Sequence, residues 1–164
     1  MRRSVAHQRR KIRVRALLLG SCVCSLLCAA LVASASNVRL SVIAHPSVGE
    51  RRLGEAELYG LFTGTVKRWG NGEPAIPMNL PPGTPLRAEF DRTILKGEPD
   101  EVAKFWIDQR IRGKGSAPRQ IPTVEMMARV VSMLPGAVGY VDAEHVPPGV
   151  TVLAVIQNGK VAPP

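Results

Sequence analysis

From residue 38 onward the apolar and polar positions fall into blocks of changing period, and each block predicts an element. Residues 38–44 (Val-Arg-Leu-Ser-Val-Ile-Ala) alternate and then run apolar, as a strand entering a buried sheet does. His45-Pro46 ends it, because proline disfavours helix in the residue before it and donates nothing to a ladder. From Leu53 the spacing turns helical: Leu53, Ala56, Leu58, Leu61 and Phe62 make one stripe. Glu55 and Glu57 suit the positive end of that helix, Gly64 closes it, and Trp69 packs under a Gly-Asn-Gly turn.

Residues 75–97 predict a short strand, a Pro-Pro-Gly turn and a helix. Thr84 is the N-cap, Pro85 fits the first helical position, and Leu86, Phe90 and Ile94 point inward, with Gly97 as a left-handed stop. Pro99-Asp100-Glu101 opens a further helix with Val102, Phe105, Trp106 and Gln109 on one face. Thr123 begins another that runs to Leu134, with Val124, Met127, Val131 and Leu134 inward and Met126, Met127 and Met133 as core filler. Residues 137–141 read as a strand in which Gly139 lets another backbone come close. Residues 150–156 form a second apolar strand, followed by an Asn158-Gly159 hairpin turn. Strand, helix, strand, three helices and two strands make an α/β domain, a small mixed sheet flanked by helices.

The first 35 residues do not belong to that pattern. Arg2, Arg3, Arg9, Arg10, Lys11, Arg13 and Arg15 precede an apolar run to Val32 and then Ala33-Ser34-Ala35. Basic, apolar, then small is the layout of a secretory signal peptide, with an uncleaved anchor as the alternative because the run is long enough to span a bilayer. The chain thus divides into a signal over 1–35 and one domain over 36–164, placed in the periplasm or secreted. Seven of the 22 Lys and Arg lie in the lead, which leaves 15 against 13 acidic residues. The basic balance therefore reports the export signal, and no nucleic-acid partner is implied. All three cysteines (Cys22, Cys24, Cys28) also lie there, so the domain has no disulfide and no thiolate chemistry.

Candidate chemistry is sparse. No nucleophile elbow, zinc-protease motif, phosphate-binding P-loop or dinucleotide glycine pattern occurs. Asp142, Glu144 and His145 cluster, but loop carboxylates beside one histidine are a poor metal signature, and His45 stands alone. The expectation is no enzyme, no metal and no cofactor. A strand feeding a helix start through small residues can seat an anion, since free amides and the dipole favour negative charge there. That makes Gly83, Thr84 and Arg87 the candidate site for a small oxyanion, and the cations of the basic loop at Arg110, Arg112 and Lys114 could close over it.

Three pieces stand in a familiar order: Leu53 to Gly64 (Leu-Gly-Glu-Ala-Glu-Leu-Tyr-Gly-Leu-Phe-Thr-Gly) leading to Lys67-Arg68-Trp69; the strand, turn and helix around Thr84; and Pro135-Gly-Ala-Val-Gly-Tyr-Val141. Together they resemble the periplasmic phosphate-binding proteins of ABC importers, a type 2 solute-binding fold, and more closely their short single-lobe exported relatives. The resemblance implies a single α/β lobe, phosphate or another oxyanion as ligand, and a membrane permease or other protein as partner. It also implies that phosphate sits between two lobes, one of which offers an arginine and a Ser-Gly-Thr run at a helix start. Aligned on Phe90, Thr84 takes the serine place, Pro85 and Leu86 replace the glycine and threonine, and Asn79 or Leu80 falls where the arginine would be. Proline removes an amide from the seat and leucine cannot donate, so binding by this lobe is expected to be weak. The alternative is an interaction or sensory module that kept the lobe and lost the pocket.

Overall fold

The computed structural model describes residues 38–49 and 51–164. The expected export signal over residues 1–35 lies outside them. Among the described residues no helix is long and apolar enough to cross a membrane.

Strand β1 (Arg39–Ala44) is followed by a 3-10 turn at Pro46–Val48 and helix α1 (Glu55–Phe62). Then come β2 (Ile76–Asn79) and α2 (Pro85–Phe90), which runs on as a π-helical turn, Asp91–Leu95. Helix α3 (Pro99–Ile111), a two-residue strand β3 (Arg119–Gln120) and α4 (Val124–Met133) lead to β4 (Ala137–Asp142). The hairpin β5 (Thr151–Gln157) and β6 (Lys160–Ala162) completes the order. The six strands form one mixed sheet, β3-β2-β4-β1-β5-β6. β2 runs parallel to β3 and β4, whereas β1 is antiparallel to β4 and β5.

β1 and β4 sit at the centre, and this explains their nearly unbroken apolar sequence: both faces of each are covered. On one face Tyr140 meets Phe90 of α2 and Phe62 of α1; on the other, its neighbour Gly139 faces Met127 of α4. Among the described residues the core cluster runs from Leu40 to Ile156. A Cβ at position 139 would sit 2.3 Å from the Met127 sulfur, so the small residue admits a side chain, not the second backbone that the sequence suggested.

Local chemistry accounts for most element ends. Glu57 reaches back to the Gly54 amide at α1, and Thr123 accepts from Met126 N at α4. The turn at Asn158 and Gly159 has positive φ at both residues (53° and 68°), as a tight primed hairpin demands. Four expectations need correction. Lys96, at φ 58°, is the left-handed stop, while Gly97 packs against Glu101 and Val102. Ala56 is exposed, because it lies roughly half a turn round α1 from the buried Leu58. Met126 and Met133 face water, since the helical period that turns Met127 and Val131 inward carries them outward. Leu134 leaves the helix in extended conformation and is partly exposed.

Strand β3 was hidden within a loop of basic residues. Ile121 N bonds to Asn79 O, so by alternation the polar backbone groups of Gln120 point away from the sheet. Pro118 and Pro122 share that outward parity and offer no N–H, which protects the edge from pairing with another chain.

Gly136 is the most constrained glycine. Its φ is 76°, and a Cβ there would lie 2.2 Å from the Pro74 carbonyl oxygen. Gly136→Ala is expected to cost about 2 kcal/mol or more, from left-handed strain plus a backbone overlap that no rotamer relieves. Urea denaturation measures it, and an unchanged midpoint would refute the geometry.

Candidate functional site

The loop between β2 and α2 is built much as its residue types dictate. Gly83 takes φ 91°, with nothing within 4 Å of where a Cβ would stand. Thr84 is the N-cap in extended conformation: its hydroxyl accepts from Arg87 N at 3.3 Å and donates to Pro81 O at 3.2 Å. Pro85 occupies the first turn. Of the first three helical positions, Pro85 has no amide hydrogen and the Arg87 amide is capped by Thr84, which leaves the Leu86 amide uncapped.

The Arg87 side chain is turned inward. Only 7 % of the residue is exposed, and its Nε lies 2.7 Å from each carboxylate oxygen of Asp91, one turn on. Its Nη1 donates to Leu80 O at 2.9 Å. Asp91 is fully buried, and burial pushes its carboxyl above the ordinary 3.8, with the Arg87 charge pulling it down. The network continues into the sheet. Tyr140 Oη accepts from Leu80 N at 3.3 Å and donates to Asn79 Oδ1 at 3.2 Å. Burial raises the Tyr140 phenol far above its usual range, so it stays protonated and keeps donating. Asn79 is itself buried, and its carbonyl receives Ile121 N at 2.8 Å.

Asn79, Thr84 and Arg87 are thus gathered around one loop, with Gly83 at its outer turn. Arg110, Arg112 and Lys114 lie exposed at the end of α3 and just beyond, where Arg112 pairs with Asp108 at 2.7 Å. Sequence reasoning missed Asp91, although its i,i+4 spacing from Arg87 was legible as an ion pair. It also missed Tyr140 as the hydroxyl joining β4 to the loop. A groove of about 280 Å³ lies elsewhere, between Tyr59 of α1, Thr63 just after it, Leu95, and Val102 and Phe105 of α3.

The other polar groups have structural partners. His45 caps the 3-10 turn, its Nδ1 accepting from Ser47 N at 3.0 Å. Ser47 Oγ donates to Glu73 at 2.7 Å and accepts from Gly136 N, tying three loops together, while Trp69 Nε1 donates to Gly136 O beneath the turn. Asp142 accepts from Glu144 N and lies 3.8 Å from His145. Among the described residues no three His, Cys, Asp or Glu are grouped as metal ligands would be.

No family model matches the sequence, and no curated protein matches it either. Solved structures match the fold. One is a protein assigned as a phosphate ABC transporter substrate-binding protein, with bound phosphate, from Clostridium perfringens: TM-score 0.57, 14 % identity, over 71 % of this chain and 45 % of that one. Another is an ABC-type phosphate transport receptor from Vibrio cholerae, at 0.56 and 13 %, over 71 % and 46 %. A third is PstS from Borrelia burgdorferi, at 0.55 and 15 %, over 71 % and 47 %. The chain spans less than half the length of each. At these identities the likeness is one of fold: a mixed α/β sheet domain similar to part of the type 2 substrate-binding proteins of phosphate ABC transporters.

Proposed function

We propose that this chain is an exported, non-enzymatic domain of the substrate-binding-protein fold, associated with phosphate transport, that works through contacts with a permease or other protein more than by capturing a ligand. The observation that carries the reading is the state of Arg87. The cation nearest the helix start is held by Asp91 and Leu80 O, and Pro85 removes an amide from the same place. An anion arriving at Gly83 and Thr84 would meet few free donors and full solvent, where charge interactions are weakened several-fold. Export rests on the basic, apolar and small-residue order of residues 1–35.

A second reading, a weak site for phosphate or another small oxyanion, has the open turn at Gly83 and the uncapped Leu86 amide in its favour. Arg110, Arg112 and Lys114 would supply outer charge in that case. Thermal melting in phosphate separates the two. At about 10 mM phosphate a micromolar site stabilises by roughly 5 kcal/mol, a ten-millimolar site by about 0.4 kcal/mol. The expected result is a shift no larger than matched sulfate or chloride gives. A saturable phosphate-specific shift, lost in Thr84→Val, would replace the first reading with the second.

A further inference from the structure

Helix α3 carries a feature that the fold does not use. Val102 and Trp106 are its buried residues, and they define one face. Ile107 and Ile111 stand four residues apart on the opposite side, 59 % and 80 % exposed, with Lys104 on the same stripe. Isolated exposed hydrophobics are ordinary, but two consecutive members of one stripe turned squarely to water are not scatter. Past the helix the chain continues through Arg110, Arg112, Lys114 and Arg119, and no acidic residue occurs between 109 and 122. The helix dipole explains cations in the last turn, and Asp100, Glu101 and Asp108 flank Lys104 at helical spacing, but neither explains Lys114 or Arg119. Among the described residues no carboxylate is within ion-pair distance of Arg110, Lys114 or Arg119. Three carboxylates of α3 share the neighbourhood: Asp108, which Arg112 holds at 2.7 Å, and Asp100 and Glu101, in the first turn at the far end of the helix.

We infer that the C-terminal half of α3 and the basic segment after it dock on an anionic phospholipid surface. Apolar side chains flanked by long cations fit the boundary of a bilayer: the isoleucines sink to the acyl edge while the lysine and arginine stems reach the phosphates. An acidic protein surface would satisfy the cations but leave Ile107 and Ile111 in water. A neutral apolar partner would cover the isoleucines and gain nothing from the cations. A negatively charged membrane satisfies both, and it draws Lys and Arg within a Debye length. The docking would hold the domain against a membrane whether or not phosphate binds at the Gly83 loop.

The test uses the domain from residue 37 onward, a compact unit that carries every described residue of the buried core. Co-sedimentation is measured with vesicles of phosphatidylcholine alone and with about one-third phosphatidylglycerol added, at low and high salt. The expected result is binding to the anionic vesicles about tenfold or more above the neutral ones, weakened by salt. Ile107→Ser with Ile111→Ser, and separately Arg110→Gln with Lys114→Gln, should each reduce it about tenfold. Because these side chains are exposed, melting of both variants should match the parent. Equal binding to neutral and anionic vesicles, or binding that neither pair of substitutions lowers, would overturn the proposal. Binding to polyglutamate without binding to vesicles would overturn it in favour of an acidic protein partner.

Discussion

Phe90→Ala is expected to lower the unfolding free energy by about 3–5 kcal/mol, the usual range for emptying an aromatic core position. Phe90 is fully buried, its ring stacked on Tyr140 at 4.3 Å between centroids and tilted against Phe62 at 4.5 Å. It therefore joins three elements, α1, α2 and β4. The space it leaves has stiff walls on the sheet side, because Tyr140 is held by hydrogen bonds to Asn79 and Leu80 and cannot swing in to fill it. In urea the midpoint should fall with little change in slope, and the melting temperature should drop by roughly 10–20 °C. A loss below about 1 kcal/mol would mean that the three rings do not pack as described.

That ring cluster shows which parts of the fold were legible in the sequence. Phe90 was readable as inward because Leu86, Phe90 and Ile94 recur every four residues, and Thr84-Pro85 marks a helix start by local chemistry. Its partners were not readable. Phe62 and Tyr140 each belong to a segment recognised separately, and nothing in local spacing says that they meet. The π-helical turn at Asp91–Leu95 was invisible for a related reason. One extra residue in a turn leaves the four-residue apolar spacing intact, and it shows only in the stop, which falls on Lys96 instead of Gly97. Strand β3 is two exposed residues between prolines and has no period to read. At the candidate site the turn and cap were local and therefore predictable. The fate of the Arg87 side chain depended on how deeply the helix was buried. An arginine in a first turn reads as solvated until Phe90 and Ile94 pull the whole helix down onto the sheet.

Arg87→Met should destabilise the domain by about 3–5 kcal/mol near neutral pH, and the loss should shrink in acid. The substitution keeps much of the stem's apolar volume but leaves Asp91 fully buried without its hydrogen-bond donor, and Leu80 O without Arg87 Nη1. In the parent, burial already raises the Asp91 acid while the Arg87 charge opposes the rise. Without that charge the folded-state acid rises further, whereas the unfolded carboxyl keeps its ordinary value. A group whose folded pKa is raised contributes stability that is present below its unfolded pKa and lost as pH rises through the folded one. The variant loses this contribution over a wider span than the parent, so its deficit is greatest at neutral pH. It narrows as acid protonates Asp91. Urea denaturation of parent and variant at neutral pH and again in mild acid measures the difference. A deficit that stays constant between the two would show that Asp91 does not bear a buried charge. A deficit that widens in acid would show that the ion pair is not what holds the loop before α2, and the closed state of the Gly83 turn would then need another cause.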